Sequence, residues 1–557
     1  MYIMPRVGGF RKMKKIILNL FVCMMLIISV LPVISGQQDI ENYEDNNISN
    51  FLDEYPLPPP MSIDMMLEES ICRRMSYRSF TGEAVTDEEL STILWAAYGT
   101  TDSGNRSIFN PDETYSSIIY VIRSDATYKY VPENHSLSLF KSGNYLHLGQ
   151  YTSPIKFGLV WDMDIESDEL RGMADIGMIC QNIYFDANAL DLATITTGMY
   201  VEDLYDLGIP SNEKPEIIMP LGHPSPPYDF TYNPLPPSNL PAVVDSELTL
   251  ADAINTRLIK NNWDNIPLSL LEQSQLLWGS YGYSYLYDNI NNKRHRTLPS
   301  AIGYYPFKIY AANHSGVYQY LPSTHSISEI LEGDQREEIE SCIEANDIEI
   351  TSASFIILPF LDTNVGGSQY QRFWYYENGA IIHNVILEAT VLGLYSNVIY
   401  DITNVAGLRS AIGIPSQTNL VPLSVIPVGN PYTTPNNPPE TPDISGPANG
   451  NAGTSYTYTF NSVDPDGDSV FYYIKWDDGN VEIWDGPHDS GTDLEISHTY
   501  TKEGTFTIEA KAKDIEGLES DWAELTVTMP RDKALYSILL KLLQNYPWIY
   551  QLLALLL

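Results

Sequence analysis

Leu90-STILWAAY-Gly99 returns further along the chain as Gln273-SQLLWGSY-Gly282, with Trp95 answering Trp278 at a distance of 183 residues. Upstream, Leu67 and Ile71 answer Leu250 and Ile254 at the same distance. Downstream, Tyr128-KYVPENHS-Leu137 matches Tyr318-QYLPSTHS-Ile327, now 190 residues apart. Asp175-IGMICQNIYFDANALD-Leu192 matches Glu377-NGAIIHNVILEATVLG-Leu394. Leu207-GI-Pro210 pairs with Ile412-GI-Pro415, and Pro220-LGH-Pro224 with Pro427-VGN-Pro431. Blocks recurring in one order at slowly growing spacing mark a duplicated unit with small insertions. The chain therefore carries the same domain twice, over 61–224 and 245–431.

Each copy opens with helical apolar spacing (Met65, Met66, Ile71; then Leu90, Ile93, Leu94, Ala97) and continues into strands. Ser117-IIYV-Ile122 and Phe307-KIYA-Ala312 alternate as half-buried strands do, and Phe355-IILP-Phe360 reads as fully buried. Gly177–Leu190 has helical spacing with one buried face. Helices mixed with strands predict a layered α+β domain.

At 557 residues and 44% hydrophobic content the chain can bury several cores. Its net charge of −40 comes with only 18% charged residues and no basic stripe, which excludes a nucleic-acid partner. Its 39 Tyr, 16 Phe and 9 Trp exclude a disordered acidic chain. A basic stretch (Arg6 to Lys15), an apolar run and Ser35-Gly36 predict a secretory leader over 1–36 and an extracytoplasmic, secreted or surface-attached protein. Cys23 falls in that leader, so of Cys72, Cys180 and Cys342 at least one thiol is free or pairs between chains. Asn47, Asn105, Asn134 and Asn313 stand in glycosylation acceptor patterns. Pro-rich breaks place an acidic spacer at 37–60 and linkers at 225–244 and 432–439. Residues 530–557 form an apolar tail suited to membrane or cell-surface association.

Over 440–529, Tyr456-TYT-Phe460, Val470-FYYIK-Trp476 and Thr505-FTIEAKAK-Asp514 alternate in period two between turn signals. With Asp464-PDG-Asp468, Trp476-DDG-Asn480 and His498-TY, this module resembles a PKD domain, an immunoglobulin-like β-sandwich. Asp464, Asp466 and Asp468 are turn formers or calcium ligands, and the rest of a calcium loop is missing.

Cys72-RRMSYRS-Phe80 places three arginines within nine residues of this acidic chain. In extended backbone, Arg74, Ser76 and Arg78 would share one face, and two guanidinium forks about a hydroxyl suit a phosphate. This segment, the acidic helix start Thr86-DEE and Leu-Trp-Ala-Ala-x-Gly resemble the opening of the nitroreductase family, nearest its SagB-type branch of azoline dehydrogenases. The resemblance implies FMN held by the Arg-x-Ser-x-Arg segment. It further implies a proline turn facing the flavin from the other subunit of an obligate dimer, and a Gly-containing loop near the reactive nitrogen.

The two copies depart from this pattern in complementary ways. Repeat one keeps Arg74, Ser76, Arg78 and the Thr197-Gly198 loop; repeat two has Arg257, Ile259 and Asn261, and Tyr395-SNVI-Tyr400 without glycine. Repeat two keeps the turn Arg296-TLPSAIGYY-Pro306, with Pro299, Ser300 and Gly303, where repeat one has Phe109, Asn110 and Glu113. The pattern predicts an intramolecular pseudo-dimer with one composite FMN site, built from Arg74, Ser76, Arg78, Thr197, Gly198, Pro299, Ser300 and Gly303. The function implied is an FMN-dependent oxidoreductase taking a small-molecule or peptide substrate and an unidentified electron donor. The competing expectation is a non-catalytic surface or adhesion protein on a degenerate scaffold. His223, His383 and Tyr304 are candidate pocket acids, each more simply read as a packing residue.

Overall fold

In the computed structural model, repeat one opens with α1 (Leu67–Arg73) and α2 (Asp87–Tyr98). Thr86 starts α2 with a capping box: its hydroxyl accepts the Glu89 N–H at 3.2 Å while the Glu89 carboxylate accepts the Thr86 N–H at 2.7 Å. Gly99 ends it, because a Cβ there would sit 2.6 Å from the Trp95 carbonyl oxygen. The Trp95 indole then donates to the Thr100 carbonyl at 3.0 Å, which explains why Trp and Gly recur together. Six strands follow, β1 (Ser117–Ile122), β2 (Ala126–Val131), β3 (Ser136–Ser142), β4 (Ile155–Asp162), β5 (Ala193–Thr194) and β6 (Glu213–Gly222). They pair in the order β3-β2-β1-β4-β6-β5, with α3 (Glu169–Ala189) leading from β4 to β5.

The described residues are 54–415, 418–432, 436–515, 517–530 and positions 541, 544 and 545. They fall in two compact units, 1–55 and 56–557, and everything below concerns the second. The leader, most of the acidic spacer and nearly all of the apolar tail lie outside the described residues. Among those described, no helix is long and apolar enough to cross a membrane.

The Pro-rich linker is more than a spacer. It supplies β7 (Phe230–Tyr232), which pairs with β8 (Tyr283–Asp288), itself paired with β9 (Lys293–Arg296), and it buries Leu240. Between β7 and β8, repeat two opens with α4 (Leu250–Asn255) and α5 (Leu270–Tyr281), where Ser269 and Glu272 form the matching capping box. Its sheet contains β10 (Phe307–Asn313), β11 (Gly316–Leu321), β12 (Ser326–Glu332), β13 (Phe355–Asp362), β14 (Tyr395–Ser396), β15 (Leu420–Pro422) and β16 (Ile426–Gly429). The order β12-β11-β10-β13-β16-β14, with β15 on β13, matches repeat one strand for strand. The helices are α6 (Arg336–Glu340), α7 (Gln371–Val391, the counterpart of α3) and α8 (Val405–Ala411).

The repeats share a hydrophobic core running from Leu90, Phe157 and Ile179 to Phe307, Ile382 and Val428, and each has a smaller cluster of its own besides. The helices α3 and α7 meet backbone to backbone. A Cβ on Gly177 would stand 2.1 Å from the Tyr376 carbonyl oxygen, and one on Gly379 2.0 Å from that of Ala174. Beside this crossing, Gln181 donates to Asn384 at 2.7 Å and His383 Nε2 pairs with Asn182 Oδ1 at 2.7 Å. This contact makes α3 buried from Gly172 to Asn188 rather than along one face.

The C-terminal module is a β-sandwich of β17 (Asp443–Ser445), β18 (Ser455–Asn461), β19 (Val470–Lys475), β20 (Val481–His488), β21 (Leu494–Thr499), β22 (Gly504–Asp514) and β23 (Ala523–Met529). Its sheets are β17-β18-β21 and β20-β19-β22-β23, closed over Tyr458, Tyr472, Trp476 and Tyr500. Asp464 Oδ1 accepts the N–H groups of Asp466 and Asp468, the turn-forming role. Among the described residues no group of three His, Cys, Asp or Glu is placed to hold a metal ion. Cys72, Cys180 and Cys342 are all free and buried. Of the glycosylation acceptors, Asn47 lies outside the described residues, Asn105 and Asn134 are exposed, and Asn313 is buried.

Candidate active site

Arg74 leaves the end of α1 and crosses into repeat two, where its Nε and Nη2 donate to the Arg296 carbonyl at 3.2 and 2.9 Å. It is only 2% exposed. Arg296 in turn lays its guanidinium 4.5 to 4.6 Å from the ring centres of Tyr281, Tyr283 and Tyr305. Three residues further on, Pro299 is buried and begins the turn. The front-half cluster and the back-half turn are thus adjacent.

Tyr184 of α3 binds the front half together. Its hydroxyl lies 3.0 Å from Ser76 Oγ and accepts the Thr196 N–H at 2.8 Å. The Tyr77 N–H donates to the Thr194 carbonyl at 2.9 Å, so the Arg74–Arg78 segment runs beside the Thr197-Gly198 loop. Thr197 pairs its backbone with Ile218, and its hydroxyl accepts the Met199 N–H at 3.1 Å. Gly198 faces repeat two: a Cβ would stand 2.2 Å from the Phe373 ring, and the Gly198 carbonyl accepts from Arg372 at 3.4 Å. Arg372 lies 3.5 Å from the buried carboxylate of Glu216.

In the turn, Ser300 Oγ accepts the Tyr305 N–H at 2.9 Å. Ile302, Gly303 and Tyr305 all have left-handed backbone (φ 57°, 76° and 50°), and the space where a Gly303 side chain would project is open. Tyr304 is exposed against Tyr370 and Trp374.

The extended-chain expectation for Arg74, Ser76 and Arg78 needs correction. They do not share one face: Arg74 is buried, Ser76 half-buried and Arg78 exposed, with its Nη1 3.5 Å from the Ser76 carbonyl. Arg74 acts as a clamp between the repeats. The same clamp recurs in repeat two, where Arg257 donates to the carbonyls of Arg106 and Ser107, and Arg106 lies over Tyr98 and Tyr115. His383 is fully buried in the contact between α3 and α7, and burial pushes it down to about 3, so it is a neutral packing residue. His223 is half-buried on a shallow cavity beside Arg73 and Tyr228.

Residue-by-residue reading missed Glu377, which lies under the turn. Burial raises it to about 8 against the hydrogen bonds of Ser300 and Tyr281 and the charge of Arg296. Tyr281 donates to its Oε1 at 2.5 Å, while Oε2 has no partner. Its counterpart Asp175, bonded to Asn110 at 2.9 Å, is also raised to about 8 by burial. The recurrence of a carboxylate at the same place in both helix blocks, Asp175 and Glu377, was the available signal.

The residues present fit a flavin mononucleotide. Ser76 and the exposed Arg78 offer a hydroxyl and a guanidinium for a phosphate, and the buried Arg296 Nε and Glu377 Oε2 lack partners beneath the turn.

Comparison with known proteins agrees with this architecture. The model of the Nitroreductase family matches residues 71–223 and 259–430, together more than half of the chain. The PKD domain model matches 445–527. A protein of Methanocaldococcus jannaschii described as a "Putative nitroreductase" is 29% identical over 183 residues, 28% of this chain and 91% of the relative. A crystal structure from Anabaena variabilis, described in the same words, is similar with a TM-score of 0.51 at 15% identity, over 68% of this chain and 94% of that one. That coverage exceeds either repeat alone, so one solved chain has the fold of the fused pair. The PKD domain of an M14-like peptidase from a Thermoplasmatales archaeon is 53% identical, over 17% of this chain and 99% of that one, with a TM-score of 0.17. This chain belongs to the nitroreductase family, as two fused copies of its fold followed by a PKD domain.

Proposed function

We propose that the protein is an FMN-dependent oxidoreductase acting outside the cytoplasm, with one flavin between the repeats. The observation that carries this reading is the adjacency of Arg74 and the Pro299 turn through the Arg296 carbonyl. When bound, FMN supplies two-electron transfer between a donor and an acceptor. Ser76 and Arg78 bind its phosphate, with Arg74 holding the segment they stand on. The Gly198 loop is fixed by Arg372 and by Phe373, whose ring a side chain at Gly198 would strike, so that this loop would offer the flavin backbone groups. Pro299, Ser300 and Gly303 wall the other side. Glu377 holds a proton on its carboxyl group at neutral pH. The PKD domain, typical of extracellular proteins, and the basic–apolar leader support the location.

The test is to saturate the purified chain with FMN, reduce it anaerobically with dithionite and add a quinone. Bleaching of the flavin band and its return on addition of the quinone are expected. A chain that takes up no FMN would instead support the surface-scaffold reading.

A further inference from the structure

Across the pseudo-twofold axis, at the position equivalent to the composite site, lies a cavity of about 390 Å³. Its first distinction is that repeat two has built a wall for it. Between β12 and β13 run 22 residues, against 12 between β3 and β4. The tip of this longer segment, Glu344–Ile348, lines the cavity, pinned by the Glu344 N–H donating to the Asp401 carbonyl at 2.8 Å.

The second distinction is chemical. Phe109, Tyr115 and Tyr400 line the cavity with aromatic rings, and Arg106, itself outside the lining, lies 5.8 Å from the Tyr115 ring centre. Asp112, Glu113, Glu344, Asp347 and Asp401 stand around them. Both lining cations are already committed. Arg171 pairs with Asp112 and Asp401 and lies 5.5 Å over the Tyr400 ring; Arg257 is taken by the Arg106 and Ser107 carbonyls. Glu113, Glu344 and Asp347 are left without a cationic partner. No lining guanidinium remains for a phosphate, and Asn261 is tied to Asn397 at 2.9 Å.

Aromatic faces backed by unpaired carboxylates recognise organic cations, and Arg171 on Tyr400 already demonstrates a guanidinium seated there. We propose that this second inter-repeat cavity binds a small organic cation, an alkylammonium or guanidinium compound, and no flavin. The proposal does not depend on FMN occupying the first site.

Agmatine titrated calorimetrically into the full chain at physiological salt is the probe. One saturable site per chain is expected. Removing two cavity carboxylates together, Glu344→Gln with Asp347→Asn, should weaken it about tenfold, whereas Glu202→Gln with Asp206→Asn, an equal charge loss on an exposed turn, should change it less than about twofold. Tyr400→Phe should retain binding and Tyr400→Leu lose about fivefold or more, with unfolding temperatures confirming that both fold. Absence of a saturable site, equal loss in the two charge-deleted variants, or displacement of agmatine by FMN would each overturn the proposal.

Discussion

Arg74 and Arg257 occupy one position in the two copies and make one kind of contact, a guanidinium buried against backbone carbonyls of the other repeat. Hydrogen bonds from a charged group contribute roughly 1.5–3 kcal/mol each. Arg74→Ala should therefore lower the Tm by about 4–8 °C, and Arg257→Ala by a similar amount, measured by calorimetry without added flavin. An unchanged Tm for either would contradict the clamp. Asp175 and Glu377 make a second residue-scale prediction. Each keeps its proton in the folded protein up to about 8, whereas the unfolded chain releases it near the ordinary carboxyl values of 3.8 and 4.5. The folded state thus binds more protons over that interval, so their contribution is full below about pH 4 and lost as pH rises through about 8. Asp175→Asn with Glu377→Gln should flatten the decline in Tm between pH 5 and pH 8.5; a decline as steep as the wild type's would contradict the assignment.

At the scale of elements, the α3–α7 crossing decides whether the halves hold together. Gly177→Ala or Gly379→Ala would drive a methyl group into backbone, which cannot turn aside as a side chain can. Either change should cost about 3 kcal/mol or more and lower the Tm of both repeats together. Two separate transitions in calorimetry would show that the core is not shared. The elements were largely legible in sequence, because capping boxes, Trp-Gly pairs and alternating strands are local signals. The burial of α3 on all sides was not, since periodicity registers only apolar residues, and the buried faces carry Gln181, Asn182 and His383 paired across the axis. Strand β7 was hidden by prolines that mark a linker, though its pairing with β8 is set by the second repeat.

For the whole molecule, the duplication could be read from block order. What could not be read was the use of Arg74: composition and spacing give a guanidinium but not the carbonyl it meets 222 residues later. The shared core predicts that residues 61–244 or 245–431 expressed alone will be insoluble or poorly folded, checked by near-ultraviolet circular dichroism and proteolysis. Compact, protease-resistant halves would contradict it. The central claim, one flavin clasped between unlike halves, is tested most directly by FMN titration of the wild type, Arg78→Ala and Asn261→Ala, followed by flavin fluorescence quenching. The account predicts one FMN per chain, binding weakened about tenfold or more in Arg78→Ala and within about twofold of wild type in Asn261→Ala. Two flavins per chain, none, or equal losses in the two variants would contradict it.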